Sequence, residues 1–132
     1  MEVAFVILNW NKADMTIQTV KNVQSTEIGD FAVVVVDNGS EMSEKIKLVR
    51  FAQENNWKII DEEECPDTSC KRILVLAGFN YGYAKGNNIG LKLAKSLRVN
   101  WAIVMNNDVV LEESVVNTLL NVARSDRKIA VV

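Results

Sequence analysis

The stretch Phe31-Ala32-Val33-Val34-Val35-Val36-Asp37-Asn38-Gly39-Ser40 decides the fold, because an unbroken apolar run ends there in a polar turn. Such a run, rich in β-branched residues, is typical of a strand buried on both faces of a parallel sheet. Asn-Gly is a turn signal, and Ser40 is predicted to cap the helix that follows. The stretch therefore predicts one strand–turn–helix unit of an α/β protein.

The same pattern recurs on both sides of this stretch. Further strands are predicted at Val3–Leu8, Trp57–Asp61, Arg72–Ala77 and Trp101–Met105. Helices are predicted at Ala13–Val23, from Ser43 to about Asn55 with Ile46, Val49 and Phe51–Ala52 on its buried side, at Ile89–Leu97 and at Glu112–Arg124. Strands and helices alternating at this spacing predict βαβ units, hence an α/β/α sandwich with a mostly parallel sheet.

The last residues, Ile129–Val132, are predicted to begin another buried strand. A domain seldom ends inside an apolar strand, so the expectation is that this chain is the front part of a domain truncated on its C-terminal side. An open sheet edge at Val132 would also invite pairing with a second copy of the chain.

Composition excludes several classes of function. The 132 residues suffice for one domain, and with 48% hydrophobic residues and one Pro the chain is neither disordered nor fibrous. A net charge of −2 without a basic stripe argues against nucleic acid as a partner. The absence of His excludes a Ser-His-Asp triad and a His-ligated metal within these residues.

The two cysteines, Cys65 and Cys70, lie in a charged segment, Glu62–Cys70, that is predicted to be an exposed loop. Two thiols without His fall short of a zinc site. They are interpreted as reduced thiols, with a short-loop disulfide as the alternative.

Polar side chains follow the first two predicted strands at the point where each strand ends. The amides of Asn9 and Asn11 can hydrogen-bond a base or ribose, and Trp10 offers a stacking face. Asp37 could accept a hydrogen bond from a base N–H or a ribose hydroxyl. A turn with a helix cap, and an Asx turn, are the structural alternatives. Since carboxyl ends of parallel strands share one edge, these groups are expected at a ligand-binding rim.

A third polar strand end is Asn106-Asn107-Asp108, which follows the apolar run Trp101–Met105. One carboxylate beside amide oxygens suits Mg²⁺ or Mn²⁺, which complete their coordination with water and substrate phosphates. A plain polar turn is the alternative reading.

The segment Gly82-Tyr83-Ala84-Lys85-Gly86 precedes a predicted helix, and Gly-rich backbone at a helix N-terminus is an anion site. Lys85 adds a positive charge there. The segment matches neither the P-loop nor the dinucleotide-binding fingerprint, whose glycines follow the first strand.

Four motifs in this order together resemble the family-2 glycosyltransferases of GT-A fold, and most closely their rhamnosyltransferase-like branch in bacteria and archaea. They are Val6-Ile7-Leu8-Asn9-Trp10-Asn11, Val35-Val36-Asp37-Asn38-Gly39-Ser40, Asn80-Tyr81-Gly82-Tyr83-Ala84-Lys85-Gly86-Asn87-Asn88-Ile89-Gly90 and Met105-Asn106-Asn107-Asp108. The resemblance implies that residues 1–132 form the donor-binding part of a single GT-A domain whose acceptor half is absent.

The resemblance also implies the chemistry. Such enzymes transfer a sugar from a nucleotide-diphosphate donor, here a dTDP- or UDP-sugar with rhamnose as the suggested sugar, usually with Mg²⁺ or Mn²⁺. The acceptor would be a saccharide or a lipid-linked molecule in cell-surface polysaccharide biosynthesis. Full-length relatives often work in the cytoplasm, peripherally at the inner membrane face.

The resemblance also implies a role for each residue of this sequence that matches a functional position of the family. The resemblance places Asn9 and Asn11 at the nucleotide-binding strand end, and Asp37 on the base. It also implies that the nucleotide and its phosphates lie against Asn80, Gly82, Asn87 and Asn88. Asn106 and Asp108 match the first and last positions of the family's Asp-x-Asp motif. The resemblance implies that Asp108 is the metal ligand, whereas Asn106 replaces the first aspartate of the motif and carries no charge. Lys85 is added as a nucleotide-sugar-binding residue from its spacing alone.

The catalytic base of this family is an acidic residue in the acceptor half, and no residue after Asp108 fits it. Glu112 and Glu113 open a helix and are interpreted as partners of its dipole. The base is therefore expected beyond Val132, so the 132-residue chain is expected to bind nucleotide and metal weakly and to transfer no sugar.

Three other readings remain. One is a domain with the same sheet that is either a non-catalytic nucleotide-sugar binder or nucleotidyltransferase-like, although the Gly-rich, Arg-containing loop of nucleotidyltransferases is missing after the first strand. Another is an interaction module with a vestigial site, which the intact Asp37 and Asp108 disfavour. The third is a flavodoxin-like or receiver domain, and a receiver domain would need an acidic pair where this chain has Asn9 and Asn11.

Overall fold

The computed structural model describes residues 1–132. Strands and helices alternate along most of the chain. The elements are β1 (Val3–Asn9), α1 (Ala13–Ser25), β2 (Phe31–Asp37), α2 (Met42–Glu54), β3 (Lys58–Asp61), β4 (Arg72–Leu76), α3 (Tyr83–Ser96), β5 (Trp101–Met105) and α4 (Glu113–Ser125).

All five strands form one parallel sheet in the order β3-β4-β2-β1-β5. β1 pairs with β2 on one side and β5 on the other, and Asn9 lies opposite Asp37 at the end of the β1–β2 ladder. The carboxyl ends of the strands consequently share one edge, called the rim below. The predicted α/β fold with a parallel sheet and flanking helices is confirmed.

Alternate residues of the central strands enter two separate cores. Phe5 and Val33 contribute to a core covered by α1, α2 and α4, whereas Val6 and Val34 face α3 on the other side of the sheet. Each of these four side chains is fully buried, and burying one stabilises the fold by roughly 1.5–3 kcal/mol. A register slip of one residue would exchange the two cores, so the unbroken apolar runs suit this three-layer arrangement.

The helix predicted to begin at Ile89 begins six residues earlier, at Tyr83. Glycine has a low helix propensity, so the stretch Gly82–Gly86 was predicted to lie before the helix and not within it. Gly86 and Gly90 instead lie one turn apart where α3 approaches β1, and a Cβ at Gly90 would overlap the Val6 side chain. Close packing outweighs the low helix propensity and brings the N-terminus of α3 to the rim.

Three further predictions were wrong. Ile46 is exposed, and Leu48 fills the core in its place. β5 was predicted to be buried on both faces, but it is an edge strand that α3 covers only in part, and Val104 is exposed. Residues 129–132 form no strand, and the Val131 side chain is 88% exposed.

The segment between β3 and β4 is mostly exposed, as predicted. Cys65 and Cys70 within it are both free thiols, the first exposed and the second half-buried. None of the helices is long and apolar enough to cross a lipid bilayer.

Candidate functional site

The ends of β1 and β2 are joined by a buried hydrogen-bond cluster. The Asn9 amide donates from Nδ2 to Asp37 Oδ1 at 3.0 Å and to Ser40 Oγ at 3.2 Å. The Ser40 hydroxyl donates to the same Asp37 oxygen at 2.5 Å. Ser40 was predicted to cap α2, which is wrong, since the N-cap residue is Glu41 and has no side-chain cap. The serine instead orients the carboxylate of Asp37.

The second oxygen of that carboxylate, Asp37 Oδ2, is buried and has no hydrogen-bond partner. An unpaired buried acceptor is costly, particularly on a charged group, and in a native protein it calls for an explanation. Oδ1 already receives two hydrogen bonds, so the carboxylate has one unused face. That face can accept a single donor from a ligand.

The turn after β1 is braced by residues of α2. Asn11 adopts a left-handed conformation (φ +52°), and its Oδ1 accepts a hydrogen bond from Glu41 N at 2.7 Å. The first helical N–H of α1, on Ala13, donates to Glu44 Oε2 at 2.8 Å. This hydrogen bond, with a smaller contribution from Lys47, lowers the pKa of Glu44 below its ordinary value of 4.5. Asn11 therefore supports the start of α2.

Trp10 lies in the same turn and is 53% exposed. Its side chain is available at the rim for a stacking contact.

Asn38 holds the loop between β4 and α3, residues 77–82, in place. Its Nδ2 donates to Asn80 Oδ1 at 3.0 Å and to Gly82 O at 3.1 Å, while its Oδ1 accepts from Tyr81 N at 3.1 Å. Gly82 has a φ of +84° and is the N-cap residue of α3. Sequence reasoning had not selected Asn38 as a site residue, although its position beside Asp37 at a strand end could have suggested it.

The first turns of α3 carry three of the predicted site residues. Lys85 and Asn88 are exposed. Asn87 is only 5% exposed, and neither Nδ2 nor Oδ1 has a partner. The N-terminus of α3 thus places its unpaired N–H groups beside the rim, with the exposed Lys85 in the same turn, and this arrangement favours an anion.

A second contact connects the loop between β4 and α3 to the loop after β3. Glu62 Oε1 accepts hydrogen bonds from Gly78 N at 2.9 Å and from the Tyr81 hydroxyl at 2.8 Å. The hydrogen bond to Glu62 raises the pKa of Tyr81 above its ordinary value of 10.0, and burial adds to the shift. The Tyr81 ring packs on Phe79 with centroids 4.0 Å apart, and Phe79 is 61% exposed.

The end of β5 differs from those of β1 and β2. Asn106 is exposed and accepts a hydrogen bond from the Tyr83 hydroxyl at 3.3 Å. Asn107 points the other way, donating from Nδ2 to Thr16 Oγ1 at 3.1 Å. Asp108 is exposed at an open groove, and its carboxylate pairs with no other group of the chain.

These groups determine which metals the site could hold. No three His, Cys, Asp or Glu side chains lie close enough together to bind a metal on their own. Asp108 supplies one unpaired carboxylate, and Asn106 supplies an amide oxygen. This donor set fits Mg²⁺ or Mn²⁺, which commonly take one or two protein carboxylates and obtain other ligands from phosphates and water. It does not fit zinc, which would need further nitrogen or sulfur ligands.

The structure therefore brings the predicted residues of the β1, β2 and β5 ends and of α3 to one rim. Sequence reasoning missed three polar residues of α1, namely Thr16, Thr19 and Asn22, which contact Asn9 or the loop after β5. Their spacing of three residues along a helix was the signal that could have found them.

Comparison with solved structures places this architecture among known folds. The mannosyltransferase PcManGT from Pyrobaculum calidifontis, solved in complex with GDP-Man and Mn²⁺, superimposes with a TM-score of 0.71 at 15% identity, covering 97% of this chain and 33% of that one. TarS 1-349 from S. aureus gives a TM-score of 0.66 at 14% identity, covering 93% and 32%. The chain thus spans about a third of either protein and has the same α/β fold, of GT-A type.

No curated protein sequence matches the chain. The family model described as glycosyl transferase family 2 matches residues 4–132. Because this match extends over nearly the whole chain and includes every strand end of the rim, the protein belongs to glycosyl transferase family 2.

Proposed function

We propose that this chain forms the donor-binding part of a glycosyltransferase that uses a nucleotide-diphosphate sugar and a divalent cation. The site residues are those predicted from the sequence: Asn9, Asn11, Asp37, Asn80, Gly82, Lys85, Asn87, Asn88 and Asn106 for the nucleotide sugar, and Asp108 for the metal. The complex of the neighbouring mannosyltransferase with GDP-Man and Mn²⁺ supports a nucleotide sugar and a divalent ion in general terms.

The observation that carries the proposal is the unpaired Oδ2 of Asp37. One acceptor with its companion oxygen already engaged suits a base with a single ring N–H beside carbonyls, as in uracil and thymine. Guanine offers two adjacent donors, which a carboxylate receives best with both oxygens. The preferred donor is therefore a UDP- or dTDP-sugar. Asp37 exposes none of its surface, so a base would reach Oδ2 only after a local rearrangement of the rim.

The diphosphate would lie between α3 and the loop after β5. The N-terminal N–H groups of α3 and the Lys85 ammonium would bind its oxygens. Asp108 would hold the cation, and Asn106 would hydrogen-bond the ribose or a water on the cation. When bound, the cation supplies positive charge that stabilises the departing diphosphate.

The sugar and acceptor are taken from the resemblance of the four motifs. We propose rhamnose as the sugar, and a saccharide or lipid-linked acceptor in polysaccharide biosynthesis, at the cytoplasmic face of a membrane. The catalytic base would come from residues outside this chain. The 132 residues alone are expected to bind the donor nucleotide and transfer no sugar, and transfer by this polypeptide would refute that statement.

Calorimetric titration of the chain with UDP, dTDP and GDP, each with and without Mn²⁺, tests the proposal. UDP or dTDP should bind more tightly than GDP, and Mn²⁺ should increase their affinity. Asp108→Ala should abolish the increase, because the carboxylate proposed to hold the cation is lost.

Glu112→Gln is the matched control, since it removes an exposed carboxylate four residues away from Asp108. Its titration should equal that of the unchanged protein. Tighter binding of GDP would contradict the assignment of the base, and binding of no nucleotide in any condition would favour a non-catalytic module.

A further inference from the structure

Helix α1 carries a row of polar side chains on a side where a helix usually packs apolar groups. Thr16 is fully buried, Thr19 is 4% exposed and Asn22 is half-buried. Threonine hydroxyls inside a helix usually bond back to a carbonyl of their own helix. Here both hydroxyls donate to groups outside α1. Such a buried polar row needs partners, and the partners identify its role.

Two of these residues hold the loop after β5 on either side of Asp108. The Thr19 hydroxyl donates to Asn107 O at 2.5 Å. Asn22 Oδ1 accepts from Leu111 N at 2.6 Å, and its Nδ2 donates to Leu111 O at 3.4 Å. The backbone is therefore fixed one residue before and three residues after Asp108, while the carboxylate itself stays exposed.

The third residue, Thr16, joins this loop to the other end of the site. Its hydroxyl accepts a hydrogen bond from Asn107 Nδ2 at 3.1 Å and donates to Asn9 Oδ1 at 2.6 Å. Asn9 in turn donates to Asp37 Oδ1. Every donor in this series points from the loop toward the Asp37 carboxylate. When each group in a series donates to the next, the groups polarise one another in one direction, and each hydrogen bond strengthens its neighbours.

We propose that Thr16, Thr19 and Asn22 are positioning residues, and that Thr16 couples the loop carrying Asp108 to the carboxylate of Asp37. This inference rests on the proposed function, in which Asp108 holds the cation and Asp37 holds the base. Fixing one end of the series lowers the conformational freedom of the other, so each ligand would find its site better ordered once the other is bound.

The first test measures how strongly Mn²⁺ increases the affinity for UDP in the unchanged chain and in Thr16→Val. Valine keeps the shape of threonine but can neither accept from Asn107 nor donate to Asn9. The factor by which Mn²⁺ increases UDP affinity should fall roughly three- to tenfold, as expected for the loss of about one net hydrogen bond. Thr16→Ser should restore the factor, because serine keeps the hydroxyl.

Thr118→Val is the matched control, because the exposed Thr118 hydroxyl bonds only to Ser114 O within its own helix. It should leave the Mn²⁺ factor unchanged. If Thr16→Val lowers stability but leaves the Mn²⁺ factor unchanged, Thr16 is structural and the coupling is refuted.

A second measurement needs no ligand. In nuclear magnetic resonance spectra of the free chain, Thr16→Val should shift the side-chain amide signals of Asn9 and Asn107 and the backbone signals of residues 107–111, and Thr118→Val should shift none of them. Unshifted signals in residues 107–111 would overturn the inference. If the unchanged chain binds neither UDP nor Mn²⁺, the proposed function fails, and these spectra still decide whether the series of hydrogen bonds exists.

Discussion

The two ends of the rim are built in opposite ways. At the β1–β2 end, Asn9, Asp37 and Ser40 are buried and bonded to one another, with a single carboxylate oxygen left unpaired. At the β5 end, Asn106 and Asp108 are exposed, and the Asp108 carboxylate has no partner. The first end belongs to the core of the sheet and the second lies beside its edge.

This difference predicts how much each end contributes to stability. Buried polar groups that are hydrogen-bonded to one another have a fixed geometry, but removing one member leaves the others without partners in a water-poor environment. Exposed groups are hydrated in the free protein, so their loss changes binding and leaves folding nearly unaffected. A base would therefore meet an acceptor whose orientation is fixed by its partners, but only after a local rearrangement uncovers it. A cation would meet an exposed carboxylate on a loop held by α1.

The largest expected effect comes from Asn9→Leu. This substitution removes the partner of Asp37, Ser40 and Thr16 at once, so the free energy of unfolding should fall by about 3–4 kcal/mol. Asn106→Leu makes the same replacement at the exposed end and should change it by no more than about 0.5 kcal/mol. Urea unfolding followed by tryptophan fluorescence measures both. Equal losses in the two variants would refute the contrast between the ends.

A second effect of intermediate size concerns the close packing at the β1–β2 end. Gly39 has a φ of +72°, and a Cβ there would overlap the backbone of Phe79 and Asn80. Gly39→Ala should cost about 2–3 kcal/mol, because left-handed strain and overlap add together. Thermal or urea unfolding gives the value.

Gly29 provides the matched control for Gly39. Its φ is +91°, and a Cβ would meet nothing within 4 Å. Gly29→Ala should therefore cost only the strain, about 1 kcal/mol. If both variants lose the same free energy of unfolding, the close approach of Gly39 to the backbone of Phe79 and Asn80 does not contribute to the cost of Gly39→Ala.

The smallest effect depends on pH and concerns Glu44, which holds the N-terminus of α1 beside this end. Its pKa is lowered in the folded protein, chiefly by the Ala13 N–H and then by Lys47. A lowered folded pKa means stabilisation that is present above the ordinary value of 4.5 and is lost as pH falls through the folded value. Glu44→Gln should lower Tm slightly at pH 7, and the difference from the unchanged protein should disappear in acid.

Glu41→Gln is the control for this measurement, because Glu41 is exposed and its side chain caps no helix. Its Tm should follow that of the unchanged protein at every pH. A Glu44→Gln difference that persists in acid would show that the glutamate acts by packing and not by charge.

Much of this arrangement was predictable from local patterns. Apolar runs such as Phe31–Val36 indicate buried strands, because only a sheet covered on both faces tolerates them. The polar residues directly after those runs were predicted to share one edge, which is where parallel strands place Asn9 and Asp37. Helix α3 began earlier than predicted, because the packing of Gly86 and Gly90 against β1 cannot be read from glycine propensity.

The sequence by itself determined the fold class, the family and the polar strand ends, since these depend on local periodicity and on motifs a few residues long. Only the tertiary structure decided which partner each polar group has. The Ser40 hydroxyl donates to Asp37 and does not cap α2. Thr16 connects Asn9 to Asn107, although Thr16 and Asn107 are 91 residues apart along the chain. Such pairings depend on strand order and helix placement, and these result from packing across the whole domain, which no local stretch of sequence specifies.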